Sequence, residues 1–374
     1  MAQRVSSTRF IGRREELGEL EHALGEATAG RPSMVFLSGE SGVGKTRLLG
    51  ELIGAVRGLD GRVLGGACIE LGDDELPYAP LVAMLRPLQR AGDPVLAGLP
   101  DVTKAELARL SPELGEPPSE PETERGEIQR RLFDAILELI SALGTEQPML
   151  LWIEDIHWAD RSTRAFLRFL EASLTQERAL VVATYRSDEL HRRHPVRPLL
   201  AELERSPCAR RIELQRFDRA EVADQLADIL GAAPAADVVE RMYGRTEGNP
   251  LFTEELLAAG VDGRAALPPS LREALLLRAE RLPDDTQRLL RLLAVGGRPD
   301  HALLAEAAGV ETVELSGAIR EAIAAQIVVV DEAERYGFRH ALLREVIYDD
   351  LLPGERSELH LVFAHALELS LIHI

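Results

Sequence analysis

Residues 39–46, GESGVGKT, stand between two apolar patterns of different period. Before them SMVFLS (33–38) is continuous and reads as a short buried strand; after them Leu48, Leu49, Leu52, Ile53 and Val56 recur with helical spacing. Strand, glycine loop and helix in that order narrow the folds open to the chain more than any other feature. Glycines at 39, 42 and 44 permit positive φ and close approach. Successive backbone N–H groups then line a concave nest for an anion, reinforced by the helix N-terminus. The spacing G-x-x-x-x-G-K-[ST] predicts phosphate contact by the loop Gly39, Glu40, Ser41, Gly42, Val43 and Gly44, with Lys45 reaching the β- and γ-phosphates and the Thr46 hydroxyl a place on Mg²⁺. Lys45 is notable for its rarity: of 43 basic residues only Lys45 and Lys104 are lysine.

A phosphate loop that holds a metal needs a carboxylate at the end of a neighbouring strand. The run LLWIEDIHWAD (150–160) supplies two, Glu154 and Asp155. Position puts Glu154 on the metal and Asp155 on the attacking water, and the roles are interchangeable at this level. His157 and Trp158 read as packing and capping beside the acids. Further strands are expected at RVLGGACIEL (62–71), ALVVATY (179–185) and RRIELQ (210–215). Between them lie helices at PLVAMLRPLQRA, at 127–143, and at STRAFLRFLEASL with Asp160 or Ser162 as its N-cap. Apolar strands alternating with helices predict an α/β fold, a parallel sheet covered on both faces, with ligands beyond the carboxyl ends of the strands. Arg186 follows one such end, where a guanidinium can read a γ-phosphate. The Pro- and Glu-rich 111–126 is expected to be an exposed loop.

From Phe217 the pattern is helical, and QIVVVDEAERYGFRH reads as a hairpin turning at its acidic stretch. We expect a P-loop domain over 1–216, a helical lid over 217–263, a winged-helix-like domain of three helices and a hairpin over 264–352, and the start of a further helical region over 353–368. Residues 264–352 hold 11 Arg, no Lys and 15 Asp plus Glu, a net of −4, the wrong sign for contact with nucleic-acid phosphates.

FIGRREEL, GESGVGKT, LLWIEDIHWAD, ATYR and EGNPLFTEEL occur in the order seen in STAND-class signal-transducing NTPases within the AAA+ P-loop proteins, and the chain resembles the large ATP-binding transcriptional regulators of the LuxR family. The resemblance implies an ATP/ADP switch. Phe10, Ile11, Gly12 and Arg13 would lie against adenine, Gly248, Asn249 and Pro250 would close over the base, Arg186 would be the sensor arginine, and His340 would touch ADP phosphate at rest. It also implies an unknown inducer, self-association in the ATP state, and DNA contact only through a C-terminal domain that follows sensor repeats, neither of which this chain shows.

The remaining composition narrows the setting. A formal charge of −19 opposes sequence-independent attraction to nucleic acid or anionic membranes. Cys68 and Cys208 lack the spacing of a zinc site or disulfide framework. No apolar stretch reaches the length of a bilayer span, so a cytoplasmic protein is expected. Leu369–Ile374 resemble the in-frame translation of a library adapter, which would place the natural chain's interruption near Glu368. A regulatory module of another effector, such as a cyclase or kinase hybrid, is the alternative. Its effector would follow rather than precede, because Met1 lies nine residues before the first motif. A plain ATPase motor is a third reading, marked by efficient turnover without an activator.

Overall fold

The computed structural model describes residues 6–69, 77–118, 125–260, 267–310 and 312–372. They fall into two units, Arg13–Gln215 and a second made by the N-terminal residues through Gly12 with Arg216 onward. The first runs α1 (Arg14–Thr28), β1 (Ser33–Gly39), α2 (Lys45–Gly58), β2 (Arg62–Ala67), α3 (Ala79–Ala91), α4 (Pro94–Gly98), α5 (Asp101–Leu107), α6 (Arg125–Leu143), β3 (Met149–Glu154), α7 (Arg161–Ser173), β4 (Ala179–Arg186), α8 (Arg197–Leu203) and β5 (Ala209–Leu214). Residues 70–71 of the expected second strand and 119–124 of the Pro-rich loop lie outside the described residues.

Its five described strands are all parallel, in the order β2-β3-β4-β1-β5. β1 is buried at every position, as a central strand covered on both faces requires. Met34 and Phe36 join a core with α3, α6, α7 and α8. Val35 and Leu37 alternate to the opposite face and are equally buried; α1 and α2 pack against the sheet with Leu20, Leu24, Leu48 and Leu52. One expectation is corrected by the strand order. β4 lies between β1 and β3, so the acids do not sit on the immediate neighbour of the phosphate-loop strand. Crossover order is a property of the assembled sheet, and apolar periods carry no record of it.

The second unit runs α9 (Arg219–Leu230), α10 (Ala236–Thr246), α11 (Pro250–Ala259), α12 (Pro269–Glu280), α13 (Asp284–Gly296), α14 (His301–Ala308), α15 (Thr312–Ala324), β6 (Val328–Val330), β7 (Tyr336–Phe338), α16 (Ala341–Asp350) and α17 (Pro353–Ile372). Ile11 packs with Phe217, Val222 and Leu226 in its core. β6 and β7 form the expected antiparallel hairpin. Four described helices, not three, follow residue 264 before it. The extra break comes where Asp300 caps α14 through Leu303 N–H at 2.8 Å and Gly309, at φ 61°, ends it. Residues 261–266, at the expected lid boundary, lie outside the described residues, as do 373–374 of the adapter-like tail, whose 369–372 continue α17. No described helix is long and apolar enough to cross a membrane.

Candidate nucleotide site

The carboxyl edge of the sheet gathers the ends of β1, β3 and β4. Gly39 pairs with Arg186 in register, and Glu154 with Ala67. Gly39 takes φ 154°, and a Cβ there would stand 2.8 Å from Val43 Cγ1 and 3.0 Å from the Leu214 carbonyl oxygen; only glycine lets the loop turn so tightly. α2 starts immediately after Gly44, an N-cap without a side chain, so the first-turn N–H groups stay open to an anion. Lys45 is buried and folds back on the loop, donating to the Gly39 carbonyl at 2.7 Å and the Glu40 carbonyl at 2.8 Å. Burial pushes its ammonium down to about 8. Ser41 N–H donates to Asp188 Oδ1 at 3.2 Å.

The acids reach this loop across β4. Thr46 Oγ1 donates to Glu154 Oε1 at 2.9 Å. Asp155 holds a left-handed backbone, φ 57°, and its N–H donates to Thr184 Oγ1 at 3.1 Å. A non-glycine residue kept in that region is sustained by its surroundings. Asp155 Oδ1 is 3.8 Å from Arg186 Nε, and Arg186 Nη1 donates to Glu189 Oε1 at 2.6 Å. Burial raises the Glu189 carboxyl, but hydrogen bonds from His157 and Arg186 outweigh it and hold the group at about 2. Burial would lower the Arg186 guanidinium; its bond to Glu189 and the nearby acids raise it instead.

The sequence reading missed Thr184, Asp188 and Glu189. Thr184 carries no signal, being one polar residue inside an apolar strand. The two acids, two and three places after Arg186, repeat the strand-then-acids pattern of β3 and are the cue that was available. His157, read as packing, is 4% exposed; its Nδ1 accepts from Arg186 N–H at 3.4 Å and its Nε2 lies 3.2 Å from Glu189 Oε2. Asp160 is the N-cap of α7, accepting from Ser162 and Thr163 N–H at 2.8 and 3.1 Å.

The other expected residues divide between the two units. Arg13, in the α/β unit with φ 60°, donates to the Gln215 carbonyl and, at 3.5 Å, to that of Val43 in the phosphate loop. Phe10, Ile11 and Gly12 belong to the helical unit, as do Asn249, Pro250 and His340. There Gly248 (φ 80°), Asn249 and Pro250 build a helix start. Asn249 is wholly buried and its Oδ1 accepts from Leu251 and Phe252 N–H at 3.1 and 3.4 Å, with Pro250 the first residue of α11. His340 is buried, with Nδ1 2.8 Å from Arg216 Nη2 and its ring edge-on to Phe252.

A parallel sheet with a glycine loop, lysine and threonine at the head of a helix defines a P-loop NTPase fold. Residues 9–183 match the family model of the AAA ATPase domain. It is 26% identical to an uncharacterized protein of Rhizobium meliloti (strain 1021) over 94% of its own length, but spans only 36% of that relative. Similar solved structures include the signal transduction ATPase with numerous domains (STAND) protein with a tetratricopeptide repeat sensor from Pyrococcus horikoshii, at TM-score 0.40 and 15% identity, covering 98% of this chain and 47% of that one. AMPPCP-bound DnaA from Aquifex aeolicus matches at TM-score 0.43 and 11% identity, over 98% of this chain and 99% of that one.

Proposed function

We propose that the chain is a nucleotide-operated switch that binds ATP at the phosphate loop, hydrolyses it slowly and rests with ADP. The observation that carries this reading is the 2.9 Å contact of Thr46 with Glu154 beside the Lys45 loop, within an AAA ATPase domain. Two oxygen donors already within reach of each other fit a hard cation. Thr46 and Glu154 would hold Mg²⁺, which when bound supplies charge neutralisation at the phosphates. Lys45 exchanges its loop carbonyls for β- and γ-phosphate oxygens. Asp155, the second acid of the pair and interchangeable with Glu154 as a candidate metal ligand, orients the attacking water and accepts its proton, and Arg186 donates to terminal oxygens that ADP lacks.

In the same reading Phe10 to Arg13 lie against adenine, Asn249 and Pro250 close over it, and His340 contacts ADP phosphate. Residues 264–352 act as a winged helix that regulates the nucleotide site instead of binding DNA, in keeping with their net negative charge. The order of motifs extends the proposal to a LuxR-family transcriptional regulator that responds to an inducer, self-associates with ATP, and touches DNA through a segment outside this chain. Asp155→Asn tests the chemical core: single-turnover hydrolysis should fall about 100-fold while ATP affinity stays within about threefold. Undiminished hydrolysis would move the water-side role to another residue.

A further inference from the structure

The phosphate loop and the acid pair leave unexplained why Arg186 is held as it is. Its Nη1 donates to Glu189 Oε1 at 2.6 Å, and its guanidinium carbon lies 4.8 Å from the Trp158 ring centroid. The other carboxylate oxygen of Glu189 is 3.2 Å from His157 Nε2. His157 Nδ1 accepts the backbone N–H of Arg186 at 3.4 Å. An accepting Nδ1 leaves the proton of the neutral ring on Nε2, the nitrogen that lies beside Glu189. The contacts therefore close a ring, from the Arg186 backbone through the buried imidazole and the Glu189 carboxylate to the Arg186 guanidinium.

The same guanidinium has a second carboxylate within reach, Asp155 at 3.8 Å from Nε. Glu189 is the nearer partner, and its geometry keeps Arg186 from closing on Asp155 as a two-pronged pair. Such a pair is strong and directional, and it would tie up the acid that is needed for water.

We propose that Glu189, aligned by His157, is a positioning residue that directs Arg186 toward the terminal phosphate and keeps it off Asp155. This rests on the reading of Arg186 as the γ-phosphate contact. Glu189→Ala releases the guanidinium to Asp155, so single-turnover ATP hydrolysis falls at least ~10-fold, since small misplacements of a reacting group are costly. ADP affinity stays within about twofold, and the ratio of ATP to ADP affinity drops. Glu189→Asp recovers part of the rate. His157→Phe keeps the ring packing against Trp158 but removes both polar contacts, and slows hydrolysis; His157→Gln, which restores a polar group beside Glu189, recovers part of the loss.

The measurement is quenched-flow hydrolysis with parallel ATP and ADP titrations on the full chain, each variant first checked by thermal unfolding. Arg186→Ala separates the two ways of failing. If it hydrolyses ATP at the wild-type rate, the underlying reading of Arg186 fails. A slow Arg186→Ala beside a Glu189→Ala that hydrolyses at or above the wild-type rate overturns the positioning role alone. Where Glu189→Ala unfolds early, the Glu189→Asp and His157→Gln pair decides: rates equal to those of His157→Phe overturn the proposal.

Discussion

In the α/β unit the polar side chains at the carboxyl edge of the sheet converge from separate elements: Thr46 at the start of α2 reaches Glu154 at the end of β3, and Thr184 on β4 accepts from Asp155 N–H. Those around Asn249 in the helical unit close local structure. Thr253 Oγ1 donates to the Asn249 carbonyl at 3.1 Å, and Asn249 Oδ1 accepts from Leu251 N–H at 3.1 Å. The contrast separates two kinds of motif. A loop whose lysine bonds only to its own carbonyls can exchange those partners for a ligand, whereas an asparagine at a helix start already serves a backbone that needs it. Motif likeness alone treats GESGVGKT and GNP alike; their surroundings do not.

That contrast predicts where substitutions will register. The largest effect belongs to Lys45→Ala, which should weaken ATP binding by about 4 kcal/mol, roughly a thousandfold, with little change in thermal stability. A large loss of stability with binding retained would erase the distinction. Gly248→Ala comes next, because its φ is 80° and a Cβ would stand 2.0 Å from the Phe217 carbonyl oxygen. We expect about 3 kcal/mol of destabilisation in denaturant unfolding, with ATP affinity of the folded protein unchanged. Asn249→Ala should cost about 1–2 kcal/mol and Asn249→Asp much less, since aspartate also caps. Equal loss of ATP affinity in both Asn249 variants would carry the proposed closure over the base; unchanged affinity would leave the amide its cap alone.

The smallest effect sharpens the comparison within the α/β unit. Glu189 is held at about 2 against an ordinary 4.5, so its stabilisation is complete above pH 4.5 and is lost as pH falls through 2. After allowance for its partial exposure, Glu189→Gln should be about 1 kcal/mol less stable at pH 7. Chemical unfolding as a function of pH should show that gap narrowing between pH 4.5 and 2; a constant gap would mean that the charge is not what stabilises.

Much of this architecture was legible because it is local. A continuous apolar run, a glycine spacing and a 3.6-residue period report their own conformation, so β1, the phosphate loop and α2 could be read from residues 33–56, and the cap of α7 could be narrowed to Asp160 or Ser162 from the residue types before a helix, the structure choosing Asp160. The hairpin of β6 and β7 was equally visible, while the fourth helix before it was not. Glu154 and Asp155 announced themselves by ending a strand. Their partners did not. That β4 is inserted between β1 and β3, bringing Thr184, Asp188 and Glu189 among the acids and the loop, was decided only in three dimensions. Strand order depends on which crossovers pack best over the whole sheet, a sum of long-range contacts that no local period encodes.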